Sequence, residues 1–267
     1  MSDHGRFCLA EGDPEPLEVV TDGSVGDFFL TCEHAGRAIP RCLGDLGVDP
    51  TEMERHIAYD IGAEAVSRKL SHAMGAPLYI QRFSRLVIDC NRPLDARDSI
   101  PEVSDGTEIP ANIGLDTNAR RARYEQIHEP YHQAIARALD QSGGSEQRPI
   151  LLAIHSFTPV MRRSGEVRDC ELGLLFHRDG RFARAMLAEV NARYPEIRAS
   201  LNVPYTVDDM SDYTIPVHGE KRRIPHVLIE IRNDQISTEA GQSRWAEIIA
   251  DTAQAAAAKM ELENNGL

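Results

Sequence analysis

The chain has 267 residues, 42% of them hydrophobic, and a formal net charge of −13 from 29 basic and 42 acidic side chains. That is enough apolar material for a sizeable core, and the acidic balance excludes the basic face that a broad nucleic-acid footprint needs. No run of about 18 apolar residues occurs, so no bilayer-spanning helix is expected, and residues 1–16 lack the basic-plus-apolar pattern of a secretory leader, which leads us to expect a cytoplasmic protein.

Residues 1–26 are polar and rich in Gly, Pro and acidic side chains, and read as a loose lead-in to one domain over 27–267. Residues 28–30 form a buried strand that runs into Thr31-Cys32-Glu33-His34-Ala35-Gly36. Ile57, Ile61, Val66 and Leu70 recur at near-helical spacing and predict a helix over 51–74 that closes at Gly75. Short strands are expected over 78–80 and 86–88. Residues 93–116 are dense in Pro, Gly, Asp and Ser, a long loop of the kind that often carries function. Thr117 is placed as the cap of a helix with a Tyr124, Ile127, Tyr131, Ile135 and Leu139 stripe, kinked at Pro130. Gly143-Gly144-Ser145 reads as a turn.

The second half continues the alternation. Residues 150–154 form an apolar run suited to a central strand buried on both faces, and 172–176 form another. A helix opens at Asp179 or Gly180, residues 202–225 are broken by prolines, 227–231 form the last strand, and a final helix starts at Ser237. With no repeat and no composition shift, the simplest architecture is a single three-layer α/β/α domain on a mixed, mostly parallel sheet.

The five cysteines, at 8, 32, 42, 90 and 170, are odd in number and form no C-x-x-C pair, so neither a disulfide framework nor a structural zinc cluster is expected. Cys32 and Cys90 end apolar runs and read as packed structural thiols.

Chemistry concentrates where apolar strands stop. His34 and His155 each follow a strand, and Glu230 lies at the end of the last one. A catalytic zinc takes three protein ligands and leaves one position open. Two histidines and one carboxylate meet that count, the carboxylate being Asp60 or, alternatively, Glu33. Adjacent side chains on a strand point to opposite faces, which favours Asp60 over Glu33. Arg82, Arg85 and Arg92 lie within eleven residues of one another, and with Asn91 they suit a carboxylate-bearing substrate.

Cys-Glu-His-Ala-Gly at 32–36, Tyr-Asp-Ile-Gly at 59–62, Ser-Arg-Leu-Val-Ile-Asp-Cys-Asn-Arg-Pro at 84–93 and Ile-His-Ser-Phe at 154–157 resemble the N-formylglutamate amidohydrolase family. Asn-Val-Pro-Tyr at 202–205, His-Gly at 218–219 and Ile-Glu-Ile-Arg-Asn-Asp at 229–234 continue the likeness, which spans about 28 to 250. The resemblance implies a phosphorylase/hydrolase-like, zinc exopeptidase-like fold and a metal-dependent amidohydrolase of N-formyl-L-glutamate-like compounds in amino-acid catabolism, with histidine degradation as its setting. It implies that Asn91 and Arg92 hold a small-molecule carboxylate substrate, that His155 lies on the late metal-ligand strand, and that Glu230 is the general base. On that basis a divalent metal, zinc by its ligand count, is the expected cofactor; Arg85 would stabilise the oxyanion and His218 would contact the substrate. No nucleic-acid or membrane partner is expected, and nothing in the sequence sets an oligomeric state. One departure stands out: zinc exopeptidases carry His-x-x-Glu at the first metal strand, and three residues after His34 this chain has Arg37. A peptidase acting on short peptides and a non-catalytic binding domain are the alternative readings.

Overall fold

The computed structural model describes residues 7–21, 26–142 and 148–264. The turn expected at Gly143-Gly144-Ser145 lies outside them. Strands β1 (Leu17–Val20), β2 (Phe28–Cys32) and β3 (Leu78–Gln81) precede a small hairpin of β4 (Val103–Ser104) and β5 (Thr107–Glu108). Then come β6 (Ile150–Phe157), β7 (Leu172–Leu175), β8 (Ala199–Leu201) and β9 (His226–Arg232). Seven of these strands form one sheet in the order β1-β3-β2-β6-β9-β7-β8. The four at its centre, β3, β2, β6 and β9, run parallel, while β1 and the β7–β8 pair run against their neighbours. This is the mixed, mostly parallel sheet of a single α/β domain. Leu17–Val20, inside the stretch read as a loose lead-in, is therefore an edge strand.

Both faces of the sheet are covered. Helices α1 (Ala63–Met74), α4 (Arg181–Arg193) and α5 (Glu239–Asn264) pack Val66, Leu70, Phe182, Met186 and Trp245 against Leu30, Ile80, Ile154 and Ile229. On the other face the run from α2 (Thr117–Arg123) through a π turn to α3 (Glu129–Ser142) brings Ile127, Tyr131 and Ile135 against Phe29, Leu151, Ala153 and Leu228. Burial on both faces is why β6 reads as a continuous apolar run; all eight of its residues are buried.

Several elements differ from their sequence expectation. The helix over 51–74 shrinks to α1, because Gly62 takes a left-handed φ of +81° and breaks the chain just before Ala63. Asp116, not Thr117, caps α2, its carboxylate accepting from Ala119 N at 2.8 Å. Pro130 has no N–H to return to the preceding turn, and the chain widens into a π turn over Tyr124–His128 before α3. The strand expected over 86–88 does not form. Leu86, Val87 and Ile88 are buried, but the Leu86 and Val87 carbonyls accept from the side chains of Asn112 (2.8 Å) and Arg123 (2.9 Å). Buried donors from the 110–123 region take the place of a sheet neighbour. The final helix starts at Glu239, two residues after Ser237.

Candidate metal centre and substrate cavity

At the carboxyl ends of β2, β6 and β9 the sheet opens into a cavity of about 470 Å³. His34 follows β2 by two residues, His155 and Glu230 face each other across the β6–β9 register, and Asp60 arrives on the loop before α1. That loop is tied to the β2 exit by a hydrogen bond from Asp60 N to His34 O at 2.8 Å.

His34, Asp60 and His155 converge. The two Nδ1 atoms are 3.1 Å apart, and Asp60 Oδ2 lies 3.0 Å from His155 Nδ1 and 3.4 Å from His34 Nδ1. The far nitrogen of each ring faces a buried carboxylate: His34 Nε2 is 2.7 Å from Asp89 Oδ1, and His155 Nε2 is 3.0 Å from Glu33 Oε2. His34 makes a hydrogen bond there, whereas His155 and Glu33 stand at ion-pair distance without hydrogen-bond geometry; an Nε2–H facing a carboxylate leaves the Nδ1 lone pair directed inward. In that tautomer three acceptors face one another at close range, an arrangement that a cation at its centre would satisfy. Ligands about 2.0–2.1 Å from a zinc ion lie about 3.4 Å apart in a tetrahedron, close to the separations found here. The residues fit a divalent ion. In the absence of one, a proton answers the same demand: burial opposes it, yet Asp60 and Glu33 hold the His155 pKa well above its ordinary value.

The carboxylates around the triangle divide the work. Asp89 receives His34 on one oxygen, and Arg85 Nη2 donates to the other at 2.6 Å. Burial works against its charge, but Arg85 and His34 keep its pKa well below the usual carboxylate range. Glu33 lies behind His155 and accepts from Thr214 Oγ1 at 2.8 Å. Arg85 also reaches Asp60 Oδ1 at 3.4 Å. Glu230 has no such company. Its Oε2 is buried without a hydrogen-bond partner, and burial, with Asp60's charge adding to it, pushes its pKa up to about 7. Gly173 on β7 makes the space beside it: a Cβ there would lie 2.1 Å from Val203 O and 3.2 Å from Glu230 Cβ.

The turn carrying Asn91 and Arg92 closes another side. Asn91 donates to Asp212 Oδ1 at 3.1 Å and accepts from the backbone N–H groups of Tyr213 and Thr214. Arg92 donates to Ser211 O and to Asp98 Oδ2. Behind the turn stand three buried histidines. Arg222 donates to His218 Nδ1 at 3.2 Å, which orients His218 Nε2–H toward His132 Nδ1 at 2.9 Å and His132 Nε2–H toward Cys90 O at 2.6 Å. His128 Nε2 reaches Arg92 O at 3.0 Å. The carbonyls on both sides of Asn91 are thus held by imidazoles.

The family model for N-formylglutamate amidohydrolases matches residues 26–237. The chain belongs to this family. As a member it is a hydrolase acting on linear amide bonds. A gene product from Agrobacterium tumefaciens is 35% identical in sequence, with a TM-score of 0.90 over 95% of this chain and 99% of that one. An N-formylglutamate amidohydrolase from Ralstonia eutropha shares the fold at 20% identity and a TM-score of 0.60, covering 95% of this chain and all of that one. No curated protein matches the chain.

Against this site the family member's sequence expectations divide. His34, Asp60, His155, Glu230, Arg85, Asn91 and Arg92 all border the cavity. Glu33, the alternative to Asp60, lies on the far side of His155 instead of in the triangle; β2 ends at Cys32, so the strand alternation that argued against Glu33 does not reach it. Arg82 does not reach the cavity; it pairs with Glu64 at 2.8 Å and lies near Glu18 on the β1–α1 side. His218 does not border it either, and is buried in the histidine relay. Cys32 and Cys90 are free, packed thiols whose burial raises their pKa well above the ordinary value. Sequence reasoning missed Asp89, Asp212, Tyr205 and His132. Asp89 stands inside the quoted 84–93 motif, and a carboxylate beside two arginines was the available signal. Among the described residues no helix is long and apolar enough to cross a membrane.

Proposed function

We propose that this hydrolase cleaves the amide of an N-acyl amino acid with the help of one divalent ion held by His34, Asp60 and His155. The observation that supports this reading is the inward convergence of His34, Asp60 and His155, whose outer atoms lie against Asp89, Arg85 and Glu33 respectively. Bound there, the ion would supply Lewis acidity to the acyl carbonyl and acidify water at its open position. The chain's own residues supply the rest. Glu230, unpartnered at the cavity wall, takes a proton from the attacking water and delivers it to the leaving amine. Arg85, fixed by Asp60 and Asp89 at the cavity edge, faces the charge that develops on the acyl oxygen. Arg92, braced by Ser211 and Asp98, holds the substrate carboxylate and so fixes the distance between anchor and scissile bond. N-formyl-L-glutamate, giving formate and glutamate, is the reference substrate; short peptides test the peptidase alternative.

Elemental analysis of the purified protein checks the ion. We expect about one equivalent of a divalent metal, zinc above all, in the native chain and loss of nearly all of it in His155→Ala. Full retention in that variant would remove His155 as a ligand.

A further inference from the structure

The cavity bordered by the proposed centre is poorly matched to a substrate with two carboxylates. Beyond Glu230 one part of its wall is apolar, formed by Phe157 from β6, Leu175 from β7, Leu228 from β9 and Val207 from the 202–214 loop, and the uncharged polar groups of Ser156, Tyr205 and Thr206 border the rest. Its fixed charges are few. Among the described lining residues the permanent cations are Arg85 and Arg92, set against Asp60, Asp212 and Glu230. Arg85 is already shared between Asp60 and Asp89. Arg92 is less committed: of its two carboxylates Asp98, at 3.1 Å, is exposed, and Asp212 lies at 3.7 Å, whereas both partners of Arg85 are buried. His56 also lines the cavity, but burial, opposed by Asp105, lowers its pKa and leaves it neutral near pH 7. Arg168 does not line the cavity; it lies over the Tyr205 ring at 4.8 Å and donates to its hydroxyl at 2.6 Å. One anchor therefore serves one carboxylate. A second anion in this space would face Asp212 or Glu230, or be stripped of water against Phe157 and Leu228, while the ion and Arg85 are engaged at the acyl group and leave no further cation to offset it.

We propose that the substrate is an N-acyl amino acid with a single carboxylate and one apolar substituent, rather than N-formylglutamate. This rests on the amidohydrolase reading above and narrows it to a substrate class. The substituent comes either from the amino acid's side chain or from the acyl group; both present the same apolar surface to the wall.

Three amides separate the cases. N-formyl-L-phenylalanine places the apolar group on the amino acid, N-butanoyl-L-alanine places it on the acyl side, and N-formyl-L-glutamate replaces it with a second carboxylate. With zinc-loaded native protein we expect kcat/KM for at least one of the first two to exceed that for N-formyl-L-glutamate by tenfold or more. Calorimetry on Glu230→Gln, which removes the proposed base and leaves the cavity shape, should rank binding in the same order. Val207→Lys, which adds a cation on the loop side of the cavity, should raise kcat/KM for N-formyl-L-glutamate several-fold and lower it for the preferred amide. Hydrolysis of none of the three defeats the catalytic reading alone, because the calorimetric ranking still tests the substrate class. N-formyl-L-glutamate bound or turned over as well as the apolar amides overturns the inference, as does failure of all three to bind.

Discussion

Glu230 and Asp60 lie in the same buried cavity, yet their environments drive them apart. Asp60 accepts from Ser156 N at 3.2 Å and faces two imidazoles, whereas Glu230 is buried with an oxygen to spare. Such a split separates a carboxylate that holds charge from one that moves a proton. Glu230→Gln keeps the shape and removes the proton acceptor, so turnover should fall roughly 10²–10⁴-fold while metal content stays at the native level. In native protein kcat/KM should rise with pH through the Glu230 ionisation. Burial places that near 7, and a cation in the triangle pulls it lower. Native-like turnover in Glu230→Gln would send the search for a base elsewhere. His34, His155 and Glu230 were legible as candidates because each lies near the carboxyl end of an apolar run, and Asp60 because the metal count needed a carboxylate that strand alternation denied to Glu33. Asp89 was not, since a carboxylate four residues from Arg85 reads as an ion-pair partner, and here it is that and the support of His34 as well. His218 was misplaced because the packing of its loop against α3 leaves no trace in local sequence.

At the level of elements, the site depends on how closely the 202–214 loop approaches β7. Gly173 lies opposite Glu230 in the β7–β9 register, and Val203 O occupies the space a side chain would take. Since the blocking atom is backbone, Gly173→Ala must displace either the strand or the loop, at a cost of about 1–3 kcal/mol, the usual range for overpacking. We expect a melting temperature lower by several degrees and kcat/KM reduced at least tenfold, with metal content nearly unchanged. Native kinetics in this variant would show that the loop does not shape the cavity. The major strands were legible from apolar runs bounded by turn residues, and so was the parallel centre. The 86–88 segment was not, because its burial is the burial of a strand while its carbonyls are satisfied by Asn112 and Arg123 from another part of the chain. Likewise the helical period over 51–74 gave no sign that Gly62 would hold Asp60 outside the helix, where the site needs it.

The molecule as a whole carries three imidazoles that folding forces to remain neutral. Burial lowers His128 to about 4 and His218 to about 3, Arg222 adding to the latter. His132 is held well below its ordinary value by burial and by its two histidine neighbours. In the unfolded chain each titrates near 6.5. Because the folded values are depressed, the unfolded state binds the extra protons as pH falls. Stability contributed by neutrality is therefore complete above about 6.5 and is lost progressively toward 4 and 3, at up to about 1.4 kcal/mol per pH unit for each histidine. Urea melts at pH 8, 6, 5 and 4, in chelator so that metal release does not intrude, should show this decline. His218→Gln supplies the control. A glutamine can accept from Arg222 and donate to His132, preserving the direction of the relay without a titrating group. It should match native stability at pH 8 within about 1 kcal/mol, the scale of one net hydrogen bond, and lose less between pH 6 and 4. Identical slopes in the two proteins would mean that His218 does not bear the acid sensitivity. A shallower slope in the variant would tie the acid limit of the fold to the same imidazoles that brace the Asn91–Arg92 turn.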